Sequence, residues 1–448
     1  MEEYLEKLLT QIRCKKARPF VEEELRGHME DQVSDYMAAG MDRSRAKECA
    51  VKDMGDPVET GISLDRIHRP RAAWGLILLI VVISLTAVVI HGLMGMESET
   101  FSGNRFSVNG MNFAVDVLAG IGVMLFICFI DYTTIARYAK FIAAAILALC
   151  FTAGVYGVQI CGITYYIKNV RLSIFALMLF YVPVYGAVLY QYYHTGYRGF
   201  ARAVLWMVLP VFGALRLPNL MLSAVLLVSM MVQITIAVSK GWFLVSKKKV
   251  IAGLWFAGAG LPVFSLAFSY MFSFMAEYQR ERIRAFLTNS KSADNITSVL
   301  RSLTESGRLV GKGTKDVIGV IPGFDSDYIF TYLTAGYGML AGVLVLCILT
   351  AVIFMIFGVS VRQKNQLGMV MGCGCGMVFL LNTVINVMEN MGWLPLVGQT
   401  FLPFFSAGAS CLVMSYGMIG MILSIYRYKD VYPGHVKITP VKRKQPVE

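Results

Sequence analysis

The sequence predicts an all-α fold, namely a polytopic membrane protein with about ten transmembrane helices and a small N-terminal helical cytoplasmic domain. Composition is the first indication, because 56% of the 448 residues are hydrophobic and only 16% are charged, against roughly 25% in soluble domains. The second is a mean hydropathy of +0.60. The third is that the apolar residues gather in runs of about 20, the length that crosses a bilayer as a helix. We therefore expect a prefix domain over residues 1–72, a ten-helix membrane domain over 73–428 and a basic cytoplasmic tail over 429–448.

The prefix domain is predicted to be a three-helix unit. Apolar side chains recur about four residues apart at Val21, Leu25, Met29, Val33 and Met37, which is typical of one face of a helix. The next helix is expected to begin after an N-cap at Asp42 and to end at Gly55-Asp56-Pro57, because proline restricts the residue before it. Residues 28–61 resemble the prefix domain found ahead of permease-like proteins in Gram-positive bacteria. A docking module and a bundle that merely aids folding both remain open.

The membrane domain contains ten apolar runs. They lie near residues 73–93, 113–132, 139–160, 172–191, 201–216, 218–238, 250–272, 328–357, 367–390 and 402–426. Lys and Arg cluster in the short loops of one side, at the start of the first run and after the second, fourth, sixth, eighth and tenth. By the positive-inside rule that side is cytoplasmic, and so are both termini. The longest loop, residues 273–327, is then extracellular.

The net charge of +12 does not indicate nucleic-acid binding, because the basic residues flank apolar runs, as membrane topology requires. The nine cysteines are scattered and show neither a disulfide framework nor zinc-ligand spacing. The stretch 372–376, Gly-Cys-Gly-Cys-Gly, is interpreted as close helix packing and not as a redox pair. Asn382 and Asn386, four residues apart, are expected to hydrogen-bond across neighbouring helices.

The polar stretch 306–330 stands out against this background. Gly307, Gly311 and Gly313 predict a flexible turn, and the stretch ends in two carboxylates, Asp325 and Asp327, just before an apolar run. The spacing does not fit a Walker phosphate loop, since Lys312 is followed by glycine. An aspartate before a helix is most often an N-cap or an interfacial carboxylate.

Four stretches resemble the SEDS family (shape, elongation, division and sporulation), the FtsW, RodA and SpoVE group of ten-span cell-wall polymerases, over about residues 73–428. Residues 278–287 resemble Y-Q-x-x-R-I-x-x-F-L, and residues 306–313 and 321–330 resemble S-G-G-L-F-G-K-G and L-P-E-x-H-T-D-F-I-F. Asn386, Gly392 and Pro395 match N-x5-G-x-x-P, and residues 402–410 resemble L-P-F-x-S-x-G-G-S. The first half departs from the family, with Gly162 in place of a tryptophan, no Q-P-S-E-x-x-K and Asn219 in place of an aspartate. In the loop, Gly323 replaces a glutamate and Asp325 a histidine.

The resemblance implies a peptidoglycan glycosyltransferase that polymerises lipid-linked disaccharide pyrophosphate (lipid II) on the outer face of the cytoplasmic membrane, in cell shape, division or sporulation. It implies a class B penicillin-binding protein, a single-span transpeptidase, as the partner, and a bacterial plasma membrane, here of a Gram-positive bacterium. The departures keep an alternative open, a catalytically weak scaffold or a protein that binds or transports the lipid precursor.

The resemblance also assigns the site residues. Asp327 aligns with the family's catalytic aspartate and is expected to be the base that accepts the hydroxyl proton, because partial burial raises a carboxyl pKa toward the working pH. Arg282 and Lys312 are candidates for binding the pyrophosphate, and Ser406 and Ser410 are further substrate-binding candidates. Asp325 is expected either to cap the following helix or to help bind a divalent cation, Mg²⁺ or Mn²⁺.

Overall fold

The computed structural model describes residues 1–101, 108, 110–160, 163–167, 173–217, 219–264, 280, 284, 296–313, 321, 323–394 and 400–435. The first helices are α1 (Glu2–Gln11), α2 (Arg18–Ala38), α3 (Arg43–Asp53), α4 (Pro57–His68), α5 (Trp74–Phe101), α6 (Gly110–Phe129), α7 (Tyr132–Arg137) and α8 (Ala139–Tyr156). Two short strands, β1 (Gly157–Ile160) and β2 (Ile163–Ile167), pair antiparallel. There follow α9 (Ile174–Tyr190), α10 (Gly196–Arg216), α11 (Leu220–Ser239), α12 (Lys247–Trp255), α13 (Ile296–Glu305), α14 (Ile329–Gly336), α15 (Met339–Val361), α16 (Gln366–Asn390) and α17 (Ala409–Arg427). The predicted all-α membrane fold is confirmed.

The prefix domain has four helices where the sequence predicted three. Asp42 caps α3 as expected and accepts from the Ser44 amide. Helix α3 does end before Gly55, as predicted. However, the Asp56 side chain accepts from the Val58 amide, and Pro57 is the first residue of α4. Proline suits the first position of a helix because the amide it lacks would have no partner there. The Asp56-Pro57 pair, which predicts the end of one helix, therefore also starts the next helix.

Eight helices among the described residues are long and apolar enough to cross a membrane. They are α5, α6, α8, α10, α11, α15, α16 and α17, and the shorter apolar helix α9 lies at the predicted fourth run. At the predicted seventh run, α12 continues through a π-helical turn, Phe256–Gly260, as far as residue 264. The remainder of that run lies outside the described residues.

Two predicted spans begin later than expected. The eighth was predicted from residue 328, but the chain first forms the short helix α14 and turns at Gly338, with φ of 106°, before α15 starts. The tenth was predicted from residue 402, but residues 400–408 form a loop in which Phe404 has φ of 67° and Gly408 has φ of 135°. Apolar composition alone does not distinguish a buried loop or short helix from the first turns of a span.

The interior of the membrane domain is built from α9, α11, α16 and α17, whose side chains are far more buried than those of α5 or α15. Gln233 of α11 lies between two glycines, and a β-carbon at Gly374 would come 2.0 Å from its Nε2 atom. A β-carbon at Gly372 would come 2.3 Å from the Ser360 Oγ atom. Cys373 and Cys375 are both free thiols. The interpretation of residues 372–376 as a close packing surface is confirmed.

Helix α17 connects the two faces of the membrane domain. Its first turn follows the loop 400–408, and its last residue, Arg427, accepts a backbone hydrogen bond from Arg71 just before α5. We call the face with α1–α4 and residues 428–435 the terminal face, and the opposite one the site face. Near its centre α17 packs closely on α6, since a β-carbon at Gly120 would come 2.3 Å from the Tyr416 ring.

The prefix domain is docked on the terminal face. Lys16 forms an ion pair of 2.8 Å with the buried Asp131, which also caps α7 and accepts from the Tyr432 hydroxyl. Phe20 packs edge-on against the Tyr432 ring, and His68 bonds the Asp430 carbonyl. Asp430 and Tyr432 of the predicted tail thus belong to this contact, while residues 436–448 lie outside the described residues.

Candidate active site

The two predicted carboxylates lie in a tight turn at the site face, residues 323–328, which we call the carboxylate loop. The amides of Ser326 and Tyr328 both donate to the Gly323 carbonyl, at 3.1 and 3.2 Å. Gly323 has φ of 76°, a backbone conformation in which a side chain is strained. The glycine found where the family resemblance expects a glutamate is therefore the residue that this turn accommodates.

Three consecutive backbone carbonyls of the carboxylate loop are held by neighbouring segments. The Asp325 carbonyl accepts from the Ala407 amide at 2.9 Å, and the Ser326 carbonyl accepts from the Ser406 hydroxyl at 2.7 Å. The Asp327 carbonyl accepts from the side-chain amides of Asn386 and Asn390, at 2.9 and 3.0 Å. Residues 400–408, which we call the support loop, and the end of α16 thus fix the loop main chain. The expected bonds between neighbouring helices are not found among the described residues: Asn386 bonds the two loops, and Asn382 donates within its own helix.

Asn390 also caps the short helix α14. Its Oδ1 atom accepts from the Thr331 amide at 2.9 Å and from the Thr331 hydroxyl at 2.8 Å. The N-cap position of α14 is Tyr328, which makes no side-chain cap. The expectation that Asp325 caps this helix was wrong, as was the simple N-cap interpretation of Asp327, because α16 supplies the cap. The spacing of Asn386 and Asn390, one helical turn apart at the end of an apolar run, is the sequence signal for this role.

The carboxyl group of Asp327 is electrostatically unusual. Burial, and secondly the neighbouring Asp325, raise its pKa to about 7. Both causes disfavour the charged form, since burial removes hydration and a like charge repels it. Among the described residues no Lys, Arg or His nitrogen lies within 4.0 Å of either carboxylate. A carboxyl group that titrates near neutral pH is suited to accept a proton from a hydroxyl group.

His91 of α5 is a site-face residue that the sequence reasoning missed. It is buried, stacks on the Phe113 ring with centroids 3.6 Å apart, and bonds the Phe405 carbonyl through Nε2 at 2.7 Å. A carbonyl only accepts, so Nε2 carries the proton. His91 lies near enough to Asp325 to interact with it electrostatically. A histidine inside an apolar helix was the available signal, because such residues are costly to bury.

Glu389 is a second missed residue. It is buried at the end of α16, and its Oε2 atom accepts from the Thr400 hydroxyl at 2.6 Å. That hydroxyl in turn accepts from Asn386 at 3.1 Å. The polar chain therefore runs from Glu389 through the support loop to the amide that holds the Asp327 carbonyl.

The other predicted site residues differ in their surroundings. Ser406 is buried and holds the support loop by accepting from the Leu402 amide at 2.7 Å, and Ser410 accepts from the Ser173 amide at 3.3 Å. Both serines therefore have structural bonds beside the site. Lys312 is exposed and lies near the Tyr337 hydroxyl. Arg282 lies outside the described residues.

The segment that carries Lys312 is bonded to α14 and the turn after it. The Gly313 amide donates to the Ala335 carbonyl at 2.8 Å, and the Gly311 amide to the Tyr337 carbonyl at 3.0 Å. A β-carbon at Gly313 would come 2.9 Å from the Ala335 carbonyl oxygen. Gly313 therefore permits close backbone approach, and Gly311 adopts a φ of 89°. The predicted glycine turn is bonded to its neighbours, and its flexibility stays a prediction.

An apolar cavity of about 330 Å³ adjoins the site between α6, α9 and α17. Ser410 is its polar lining residue, and the adjacent Cys411 lies near Asp327. The other lining side chains are apolar, among them Val123, Ile127 and Phe180. This arrangement accommodates a hydrocarbon chain beside the carboxylate loop.

Comparison with known proteins gives a consistent picture. A family model described as FTSW_RODA_SPOVE, cell cycle protein, matches residues 72–431. A probable peptidoglycan glycosyltransferase FtsW of Enterococcus hirae is 35% identical over 124 residues, 27% of this chain and 31% of the relative. The peptidoglycan glycosyltransferase MrdB of Escherichia coli K12 is 26% identical over 167 residues, 36% of this chain and 45% of the relative. The chain thus spans less than half the length of these curated relatives.

Solved structures share the fold over a larger part of the chain. A chain from a structure titled structural coordination of polymerization and crosslinking by a peptidoglycan synthase complex has a TM-score of 0.63 and 18% identity, covering 80% of this chain and 98% of that one. The rod shape determining protein RodA of Thermus thermophilus has a TM-score of 0.56 and 17% identity, covering 80% and 97%.

Proposed function

This chain belongs to the FtsW/RodA/SpoVE family of cell cycle proteins, and we propose that it is a peptidoglycan glycosyltransferase that polymerises a lipid-linked disaccharide pyrophosphate. The observation that carries the proposal is the carboxyl group of Asp327, whose pKa is raised to about 7 in a loop with a fixed main chain. The names of the relatives in Enterococcus hirae and Escherichia coli support the same activity.

In the proposed reaction Asp327 acts as the general base. It accepts the proton of a sugar hydroxyl on the acceptor, and the hydroxyl oxygen forms a bond to the anomeric carbon of the donor. The bond from that carbon to the pyrophosphate oxygen breaks, and the lipid pyrophosphate leaves with the electron pair. The hydrogen bonds to the Asp325, Ser326 and Asp327 carbonyls hold the base in place, which is the contribution expected of positioning groups.

The apolar cavity is proposed to hold part of the hydrocarbon chain of the donor. It is lined almost entirely by apolar side chains and ends beside the carboxylate loop at Ser410. The departing pyrophosphate requires positive charge, and we assign this role to Lys312 and to Arg282. Arginine and lysine are both common phosphate ligands.

A divalent cation is a further proposed component. Asp325 supplies a carboxylate, and the Oδ1 atom of Asn386 is buried with no hydrogen-bond partner among the described residues. Oxygen ligands of this kind suit Mg²⁺ or Mn²⁺, so the residues present fit such an ion. When bound, it would offset the charge of the pyrophosphate.

The proposed setting is the cytoplasmic membrane of a Gram-positive bacterium, with both termini in the cytoplasm and Asp327 facing outward. The loop charges support this orientation. We propose a class B penicillin-binding protein as the partner, since a structural neighbour comes from a complex that coordinates polymerization and crosslinking.

The test is polymer formation by the purified full chain, with and without a class B penicillin-binding protein, supplied with lipid-linked disaccharide. We expect Asp327→Asn to lower the polymerisation rate at least 100-fold, since general-base groups contribute about 10²–10⁴-fold. An undiminished rate in this variant would contradict the assignment of the base. A wild-type protein that binds the lipid without forming polymer would instead favour the scaffold or lipid-precursor binding or transport function.

A further inference from the structure

A second cavity lies at the opposite end of α17 from Asp327, on the terminal face. It measures about 230 Å³ and is lined by Pro70, Arg71, Ala72, Ala73, Ile77, Cys128, Leu423 and Arg427. These residues belong to the segment before α5, the first turn of α5 and the last turns of α6 and α17. The cavity is therefore situated where three membrane-spanning helices end, at the level of the lipid headgroups. We call it the terminal cavity.

The charge around the terminal cavity is positive. Arg71 contacts the Asp430 carboxylate only at 3.7 Å, and Lys364 and Lys429 reach the same carboxylate at 4.0 Å. One carboxylate thus faces three cations, all at long distances. Among the described residues no carboxylate lies within 4.0 Å of Arg427, whose guanidinium instead stacks 4.7 Å from the centre of the Phe129 ring. This region therefore has a surplus of cations.

Apart from its two arginines, the terminal cavity is lined mostly by apolar side chains. Ala73, Ile77 and Leu423 line it, and Trp74 and Leu78 are exposed on the adjoining turns of α5. Its volume is below the roughly 300–1,000 Å³ typical of pockets that enclose a whole small molecule. A cavity of this size suits a lipid headgroup with its glycerol, and the exposed surface of α5 beside it is apolar.

We propose that the terminal cavity binds the phosphate headgroup of an anionic glycerophospholipid from the membrane leaflet on the terminal side. Basic pockets between helix ends at a membrane surface attract such headgroups. Arg71 and Arg427 bind the phosphate, and the apolar lining contacts the glycerol and the first methylene groups. Because Arg71 and Arg427 flank the joint between the prefix domain, α5 and α17, the bound lipid joins these elements at the membrane surface.

The experiment titrates the purified full chain in detergent with phosphatidylglycerol, phosphatidylcholine and inorganic phosphate, and counts bound molecules by native mass spectrometry. We expect phosphatidylglycerol to bind at least tenfold more tightly than phosphatidylcholine. At about 1 kcal/mol per basic residue near the surface, Arg71→Gln or Arg427→Gln should weaken binding about fivefold and the double variant about 30-fold. Inorganic phosphate at equal concentration should leave the lipid bound.

Two further variants make the outcome decisive. Arg202→Gln removes an exposed arginine of α10, which does not line the cavity, and should leave lipid binding unchanged. Ala72→Trp keeps both guanidinium groups but fills the rim, and should weaken phosphatidylglycerol binding at least tenfold even where the arginine variants fold poorly. Binding unaffected by Ala72→Trp and by the double variant would overturn the proposal. So would an equal loss in Arg202→Gln, or displacement of the lipid by phosphate alone.

Discussion

The carboxylates of the terminal face and of the site face have opposite electrostatic surroundings. On the terminal face, Asp131 is paired with Lys16, caps α7 and accepts from Tyr432, so its oxygens have several donors. On the site face, neither Asp325 nor Asp327 has a cation within 4.0 Å among the described residues, while the backbone carbonyls around them are fully bonded. The same type of side chain is neutralised where it holds domains together. It has no cation nearby, among the described residues, where the proposed reaction would transfer a proton.

The comparison shows that the atoms that hold the carboxylate loop in place are not the atoms of its titratable carboxyl groups. In the carboxylate loop the main chain bears the structural bonds, and the pKa of Asp327 stays raised to about 7 because no cation of the described residues lies close enough to lower it. A side chain that also served as a structural ion pair would have a lower pKa and would be a weaker base. Removal of each carboxylate should therefore have opposite effects on stability.

The largest expected contrast is between Asp327→Asn and Asp131→Asn. At pH 8 the first should raise the free energy of unfolding, on the order of 2 kcal/mol, because it removes a charge that burial disfavours. The second should lower it by about 2 kcal/mol, because the buried side chain of Asp131 loses its charge, and with it the ion pair to Lys16 and the full strength of the bond from the Tyr432 hydroxyl. Thermal unfolding in detergent at pH 8 measures both, and polymerisation should persist in Asp131→Asn. Asp327→Asn should give no gain at pH 4, where the carboxyl group is already neutral; a loss of stability at pH 8 would contradict the comparison.

The next largest effect is expected for Asn390→Ala. This substitution removes the bond to the Asp327 carbonyl and the cap of α14, and should lower the polymerisation rate about 10- to 100-fold, as misplacement of a catalytic group does. The matched control is Asn382→Ala, another buried asparagine of α16 that bonds only within its own helix among the described residues. Equal losses of rate in the two variants would show that packing, and not loop position, is responsible.

A smaller effect is expected in the pH dependence of polymerisation. The base acts only when deprotonated, so the rate should rise with pH. The midpoint of this rise should lie near 7, because the pKa of Asp327 is about 7. Asp325→Asn removes the like charge that contributes to the raised pKa, so the midpoint should move to lower pH. Rates measured from pH 5 to 9 with both proteins check this. A midpoint that stays in place, or moves to higher pH, would show that Asp325 does not contribute to the raised pKa of Asp327.

The smallest effect is expected for Lys16→Ala. The lysine side chain is about half exposed, so its ion pair with Asp131 is partly screened and its loss should cost about 1 kcal/mol. Protease accessibility of the prefix domain should rise, while polymerisation by the membrane domain should change less than twofold. The comparable substitution Lys15→Ala, which is not among the ion pairs of the described residues, should change neither; an identical response in both variants would rule out the Asp131 contact as the cause.

Much of the fold followed from local patterns. Runs of about 20 apolar residues and flanking charges located most of the membrane helices, because the cost of burying charge and unpaired backbone groups in lipid allows few alternatives. The sequence predicted the candidate site only in part. The family pattern singled out Asp327, but Asn390 and His91 act through contacts with residues 59 and 314 positions away, respectively. No local period in the sequence records such pairings.

The sequence by itself determined the class of protein, the membrane helices and the loop that carries the carboxylates, since hydropathy, proline and glycine act over a few residues. Only the tertiary structure decided that the eighth span begins at α15, that α16 caps α14, and that Asp327 is held by its main chain while its carboxyl group is buried beside Asp325. The physical reason is that the pKa of a carboxyl group and the partners of a carbonyl depend on burial and neighbours in three dimensions. These are properties of the packed bundle.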